Sequence, residues 1–196
     1  AKFARYDMSH IVFHGNNKSN QELEYAVKNE IGFIVVDNHD ELVRLDKIAS
    51  NLGLCINTLF RINPLVDAHT HAYIQTALNA SKFGESIEDD AMISKILNTY
   101  KNSHNVKLLG FHSHIGSQIK EVEPFKVLVE KLCKFTKEIN ETYQMNLEVI
   151  NLGGGFGIEY YKDDEKVNLC DMLQEVISCL EQKIKGNNLN IKHIMI

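Results

Sequence analysis

Two short runs concentrate the residue types that could do chemistry. They are Gly110-Phe111-His112-Ser113-His114-Ile115-Gly116-Ser117-Gln118 and Asn151-Leu152-Gly153-Gly154-Gly155-Phe156-Gly157, at the ends of the apolar stretches Val106 to Phe111 and Leu147 to Leu152. Three successive glycines let backbone N–H groups converge on an anion without obstruction by a Cβ, which is how a phosphate is held; a plain flexible turn is the other reading. They are not a dinucleotide fingerprint, because position 158 is Ile and no helical pattern starts at once. His112 and His114 lie two apart on an extended segment and are predicted to face the same way. Such a pair is not read as two random surface histidines, and it could chelate a metal with His69, His71 and Asp37. The metal reading leaves the glycines and Ser117 without a purpose. Arg61 ends another apolar run, where a buried guanidinium needs an anionic or aromatic partner, internal or bound. His14, Asn16, Asn17 and Lys18 follow a third.

The elements that position these residues alternate along the chain. Strands are predicted over Ile11 to Phe13, Phe33 to Val36, Cys55 to Ile62, Val106 to Phe111, Leu147 to Leu152 and Ile191 to Ile196. Helices are predicted over Gln21 to Glu30, Glu41 to Leu52, Glu88 to Tyr100, Phe125 to Tyr143 and Leu169 to Lys185, with Pro124 in the first turn of the fourth. Continuous apolar runs such as Phe33-Ile34-Val35-Val36 suit strands covered on both faces of a parallel sheet. About six βα units fit either a β/α barrel or a doubly wound sheet, and in both the polar residues gather at strand ends. The irregular stretch from Asn63 to Glu88 carries His69, His71, Ser81, Lys82 and Gly84, and a loop of that length is often functional.

Composition removes several classes. With 196 residues, 44% hydrophobic and 24% charged, the chain is expected to form one globular domain over 1–196. A formal net charge of −5 with scattered Lys and Arg argues against a nucleic-acid surface and for a substrate small enough to enter a pocket. No apolar run is long enough for a membrane helix, and the first residues lack the apolar core of a signal peptide, so a cytoplasmic protein is expected. Cys55, Cys133, Cys170 and Cys179 share no Cys-x-x-Cys spacing and are expected to be buried thiols.

With Phe13-His14-Gly15-Asn16-Asn17-Lys18-Ser19, Arg61-Ile62-Asn63-Pro64, Asp67-Ala68-His69-Thr70-His71 and Ser81-Lys82-Phe83-Gly84, the two opening runs form an ordered set that resembles diaminopimelate decarboxylase. That family is a pyridoxal-phosphate enzyme of the alanine-racemase-like barrel class. His114-Ile115-Gly116-Ser117-Gln118 is closer to it than to ornithine or arginine decarboxylases. Leu65 and Ala77 depart from the pattern, each standing where the family usually has Gly.

The resemblance implies a partial (β/α)8 TIM-type barrel, with the motifs on strands three to eight of an internal piece. The family's cofactor-binding lysine, in Tyr-Ala-x-Lys-Ala-Asn, its Glu-Pro-Gly-Arg segment and its C-terminal β domain have no counterpart in these residues. It further implies pyridoxal 5'-phosphate as cofactor, an amino-acid substrate, and a homodimer when full length. A plastid location would follow if a transit peptide precedes the chain. By the same resemblance His114 stacks on the pyridine ring and shields the reacting carbon, Ser117 hydrogen-bonds the cofactor, Gly153, Gly154 and Gly155 hold its phosphate, and Arg61 lies near it. His112 is read as a hydrogen-bonded structural residue. Lys18 is not the cofactor lysine, because Gly-Asn-Asn-Lys-Ser is a separate motif. The implied reaction is decarboxylation of meso-2,6-diaminopimelate to L-lysine. Another basic amino acid, carboxynorspermidine, or a non-catalytic barrel that binds a partner protein are the alternatives.

Overall fold

A computed structural model describes residues 1–66, 83–161 and 166–196. His69, His71, Ala77, Ser81 and Lys82 lie outside the described residues. The contacts group into two compact units, Ala1–Ile62 with Phe83–His112, and Asn63–Lys82 with Ser113–Ile196.

In the first unit, β1 (Val12–Phe13), β2 (Phe33–Val36), β3 (Ile56–Asn63) and β5 (Val106–His112) pair in that order, all parallel, and a two-residue strand β4 (Glu85–Ser86) adds to β3. The strands alternate with helices α1 (Asn20–Lys28), α2 (His39–Leu52) and α3 (Asp90–Asn102). The apolar run of β2 is buried at Ile34, Val35 and Val36, as its unbroken hydrophobicity requires of a parallel strand. Leu23, Leu42, Leu45 and Ile96 of the helices close over Ile34, Leu59 and Phe60, all at most 2% exposed. Each helix starts where the side chain of the preceding residue takes a free backbone N–H. Ser19 and Glu22 form a reciprocal capping box on α1, Asn38 caps α2, and Asp89 caps α3. The register slips once between Thr58 and Leu59, where β5 carries one extra residue, Leu109.

In the second unit, α4 (Glu123–Tyr143) and α5 (Leu169–Gly186) pack together and bury Phe125, Leu128, Leu132, Val176 and Leu180. β6 (Val149–Asn151) pairs in parallel with β7 (His193–Met195). Pro124 stands in the first turn of α4, where its missing N–H costs nothing. Leu65, one of the two departures from the family pattern, takes a left-handed φ of 54°. Its N–H donates to Asn63 Oδ1 at 3.0 Å and its carbonyl accepts from Lys131 Nζ at 2.7 Å, which holds a conformation that glycine would adopt freely.

Predicted element ends agree with the observed ones to within two residues, and two 3-10 turns, Lys2–Ala4 and Met8–His10, carry no apolar period that would reveal them. One expectation fails outright. Cys133 is buried, with its thiol pushed up to about 12 by burial, but Cys55 and Cys170 are exposed and Cys179 is half-buried. Cys55 precedes the first residue of β3 and Cys170 sits in the first turn of α5, where side chains still face water. All four are free thiols. No helix among the described residues is long and apolar enough to cross a membrane.

Candidate active site

The segment from Ser113 to Gln118 and the glycine run close against each other in the second unit. At the base, Ser113 N–H donates to the Asn151 carbonyl at 3.0 Å. At the rim, Ile119 N–H donates to Gly155 O at 3.0 Å, Gly157 N–H to Ile119 O at 2.8 Å, and Ile158 N–H to Gln118 Oε1 at 3.0 Å. Phe156 then stacks on Phe125 of α4, rings 4.1 Å apart and 6° from parallel, which anchors the glycine run to the core.

Only glycine fits at two of the three positions. A Cβ on Gly155 would lie 1.9 Å from Gly116 O and 3.2 Å from His114 Cε1, and one on Gly153 would lie 2.4 Å from Ser113 O and 2.9 Å from His114 Cβ. Gly154 instead faces open space, with nothing within 4 Å. All three have positive φ, at 86°, 102° and 97°. The Gly153 N–H is taken by Asn151 Oδ1 at 2.9 Å. Those of Gly154 and Gly155 have no hydrogen-bond partner among the described residues. The His114 ring therefore stands beside a small open cradle with two free backbone donors, and the Ser117 hydroxyl is exposed nearby in sequence. An oxyanion with several acceptor oxygens fits that donor set, and a flat aromatic ring fits the exposed imidazole face.

His112 is different. β5 ends at His112, and the two histidines differ in burial. His112 is 4% exposed and meets the ring of His14 edge to face, centroids 4.7 Å apart. His114 is exposed beside Gly155. The described residues hold no group of three His, Cys, Asp or Glu side chains able to bind a metal.

In the first unit Arg61 has both kinds of partner that a guanidinium seeks. Its Nη1 is 3.1 Å from Asp37 Oδ1, and its Cζ lies 5.0 Å from the centroid of the Phe83 ring. Lys18 is 3% exposed and spends its three ammonium donors on Gly15 O, Val35 O at 2.8 Å and Glu41 Oε1 at 2.7 Å. The buried ammonium thus ties the loop after β1 to β2 and α2.

Two contributors escaped the sequence reading. Asn151 carries a usable signal, since Asn readily accepts from the N–H two residues on. Glu41 carries none, because an acidic residue in the first turn of a helix reads as an ordinary dipole complement.

Residues 2–195 match the family model described as the pyridoxal-binding domain of pyridoxal-dependent decarboxylases. The chain is 38% identical over 193 residues to diaminopimelate decarboxylase of Bacillus subtilis, which covers 98% of this chain and 44% of that protein. It is 40% identical over 199 residues to the Halalkalibacterium halodurans enzyme of the same name, again 44% of that protein. Among solved structures, diaminopimelate decarboxylase of M. jannaschii with L-lysine superposes with a TM-score of 0.87 at 32% identity, covering 99% of this chain and 44% of that one. The Helicobacter pylori enzyme with L-lysine gives 0.79 at 31% identity, covering 99% and 46%. The chain thus spans less than half the length of these relatives. Its fold class is the α/β, parallel-stranded partial barrel of their barrel domain, the alternative a doubly wound sheet being set aside by the superposition.

Proposed function

The chain belongs to the pyridoxal-dependent decarboxylases, and from that premise we propose that the protein it comes from converts meso-2,6-diaminopimelate to L-lysine and carbon dioxide, the last step of lysine biosynthesis. The observation that carries the reading is the closure of His114 and Gly116 onto Gly153 and Gly155, which leaves two free N–H donors beside an exposed imidazole. The names of the relatives at 38% and 40% identity support the substrate, as does the L-lysine held by two of the similar structures.

Pyridoxal phosphate, when bound, accepts the electron pair left behind as the carboxylate departs as carbon dioxide. The residues of this chain bind and orient. Gly154 and Gly155 offer N–H groups to the phosphate, and Ser117 adds a hydroxyl. The His114 imidazole packs on the flat ring and keeps water from that face. The expected place of Arg61 beside the cofactor rests on the resemblance; its pairing with Asp37 and Phe83 fixes the end of β3. We further propose that residues 1–196 serve one pyridoxal-phosphate-binding barrel domain, and that the full-length protein is a cytoplasmic homodimer.

Two measurements on the full-length protein test this reading. In the first, kcat/KM for meso-diaminopimelate should exceed that for ornithine, arginine or carboxynorspermidine by at least about 10³-fold, as polar recognition allows; a higher value for any of the others rejects the substrate. In the second, His114→Ala should keep its cofactor, since ring stacking contributes only about 1 kcal/mol. The rate should still drop by roughly 10²-fold, because orientation of the breaking bond is lost. Loss of cofactor with normal turnover per bound cofactor would remove His114 from the chemical step.

A further inference from the structure

We infer that Asn151 is a positioning residue that sets which glycine N–H groups face the cofactor phosphate. The inference rests on the phosphate reading of the glycine run given above. Asn151 is 4% exposed and ends β6. It meets three segments at once. Its carbonyl accepts the Ser113 N–H at 3.0 Å, its Oδ1 accepts the Gly153 N–H at 2.9 Å, and its Nδ2 lies 3.6 Å from Met195 Sδ, the residue paired with it in β7.

The Oδ1 bond closes a turn of the kind Asn forms with the N–H two residues on. Its first effect is subtraction. Gly153 was expected to share in holding phosphate, but its N–H is already engaged, so it acts through shape, fitting under Ser113 O and His114 Cβ where no other residue goes. The second effect is alignment. Three consecutive glycines have more conformational freedom than any other tripeptide, and a free Gly-Gly-Gly run would present its donors in many directions. Fixing Gly153 at φ 86° fixes the start of the run, and the Gly155 carbonyl bond to Ile119 N–H fixes its end. Gly154 and Gly155 are left as the donors, and at Gly154 the run faces open space. Through the same residue the backbone of the His114 segment is tied to the glycine run, so the ring-facing and phosphate-facing parts of the site share one anchor.

This role differs from general structural support because it concerns only the phosphate. In the full-length protein, binding of pyridoxal phosphate is compared with that of pyridoxal, which lacks the phosphate. Wild type should prefer the phosphate form strongly; no preference would defeat the phosphate reading itself. In Asn151→Leu, of similar volume but without an acceptor, the affinity for pyridoxal phosphate should drop by at least about 10-fold, the value of one well-placed hydrogen bond, with pyridoxal changing less than about 2-fold. Asn151→Asp keeps the acceptor and should retain most of the preference. Equal losses for both ligands, or an intact preference in the Leu variant, overturn the role of Asn151 and leave the phosphate reading standing. A measurement on unaltered protein with 15N-labelled glycine decides the matter if the Leu variant does not fold. Without cofactor the Gly153 amide should exchange slowly and those of Gly154 and Gly155 quickly, and pyridoxal phosphate should slow only the latter two. Fast exchange at Gly153 before cofactor is added, slowed by binding, overturns the assignment.

Discussion

Glu41→Gln lowers the stability of the protein by about 3–5 kcal/mol, the cost of leaving a buried charge without its partner. Lys18 and Glu41 side chains are 2% and 0% exposed and meet at 2.7 Å, so removing the carboxylate strands an ammonium that water cannot reach. The pair also joins three elements: the loop after β1 through Gly15, β2 through Val35, and α2 through Glu41 itself. Because desolvation of the pair offsets much of its attraction, Lys18→Met combined with Glu41→Leu should recover most of the loss. Urea unfolding of Lys18→Met, Glu41→Leu and the variant carrying both closes a mutant cycle, and additive losses would show that the pair is not a unit.

How far such features could be read from sequence depended on what kind of interaction made them. β2 was legible to the residue, because Phe33 to Val36 is a closed apolar run that only a doubly covered strand explains. The extent of α4 was legible within two residues, because its apolar period is long and Pro124 marks its start. The glycine run and His114 stood out as chemistry-bearing types, and the structure brings them together. That Gly153 spends its N–H internally was not legible, since whether a glycine donor is free depends on the conformation of a neighbour two residues away. Likewise nothing in the spacing of 23 positions between Lys18 and Glu41 announces a buried pair, because through-space partners on a loop and a helix follow the fold and not the period.

Gly155→Ala and Gly154→Ala should separate the two things the glycine run does. Both positions have positive φ, 97° and 102°, so an alanine at either pays roughly 1–2 kcal/mol for a left-handed backbone. Beyond that they diverge. At Gly155 the new Cβ would sit 1.9 Å from the Gly116 carbonyl oxygen, a backbone atom that cannot rotate away. Relief requires the glycine run to lift, which breaks the bond between Gly155 O and Ile119 N–H and disturbs the Phe156 stack on Phe125. The total loss should reach at least about 3 kcal/mol, the strained backbone and the broken packing adding together. Cofactor affinity should fall with it, since both free donors move. At Gly154 the methyl meets nothing within 4 Å, so the fold should lose no more than the backbone cost. That open space is where the phosphate is proposed to lie, and the methyl intrudes on it. Gly154→Ala should therefore keep a melting temperature within a few degrees of wild type while its affinity for pyridoxal phosphate drops by 10-fold or more, about 1.4 kcal/mol. Thermal melts of the cofactor-free proteins followed by cofactor titration measure both quantities. A Gly155→Ala protein as stable as Gly154→Ala would mean that the two loops are not closed as described, and a Gly154→Ala protein with unchanged affinity would move the phosphate elsewhere.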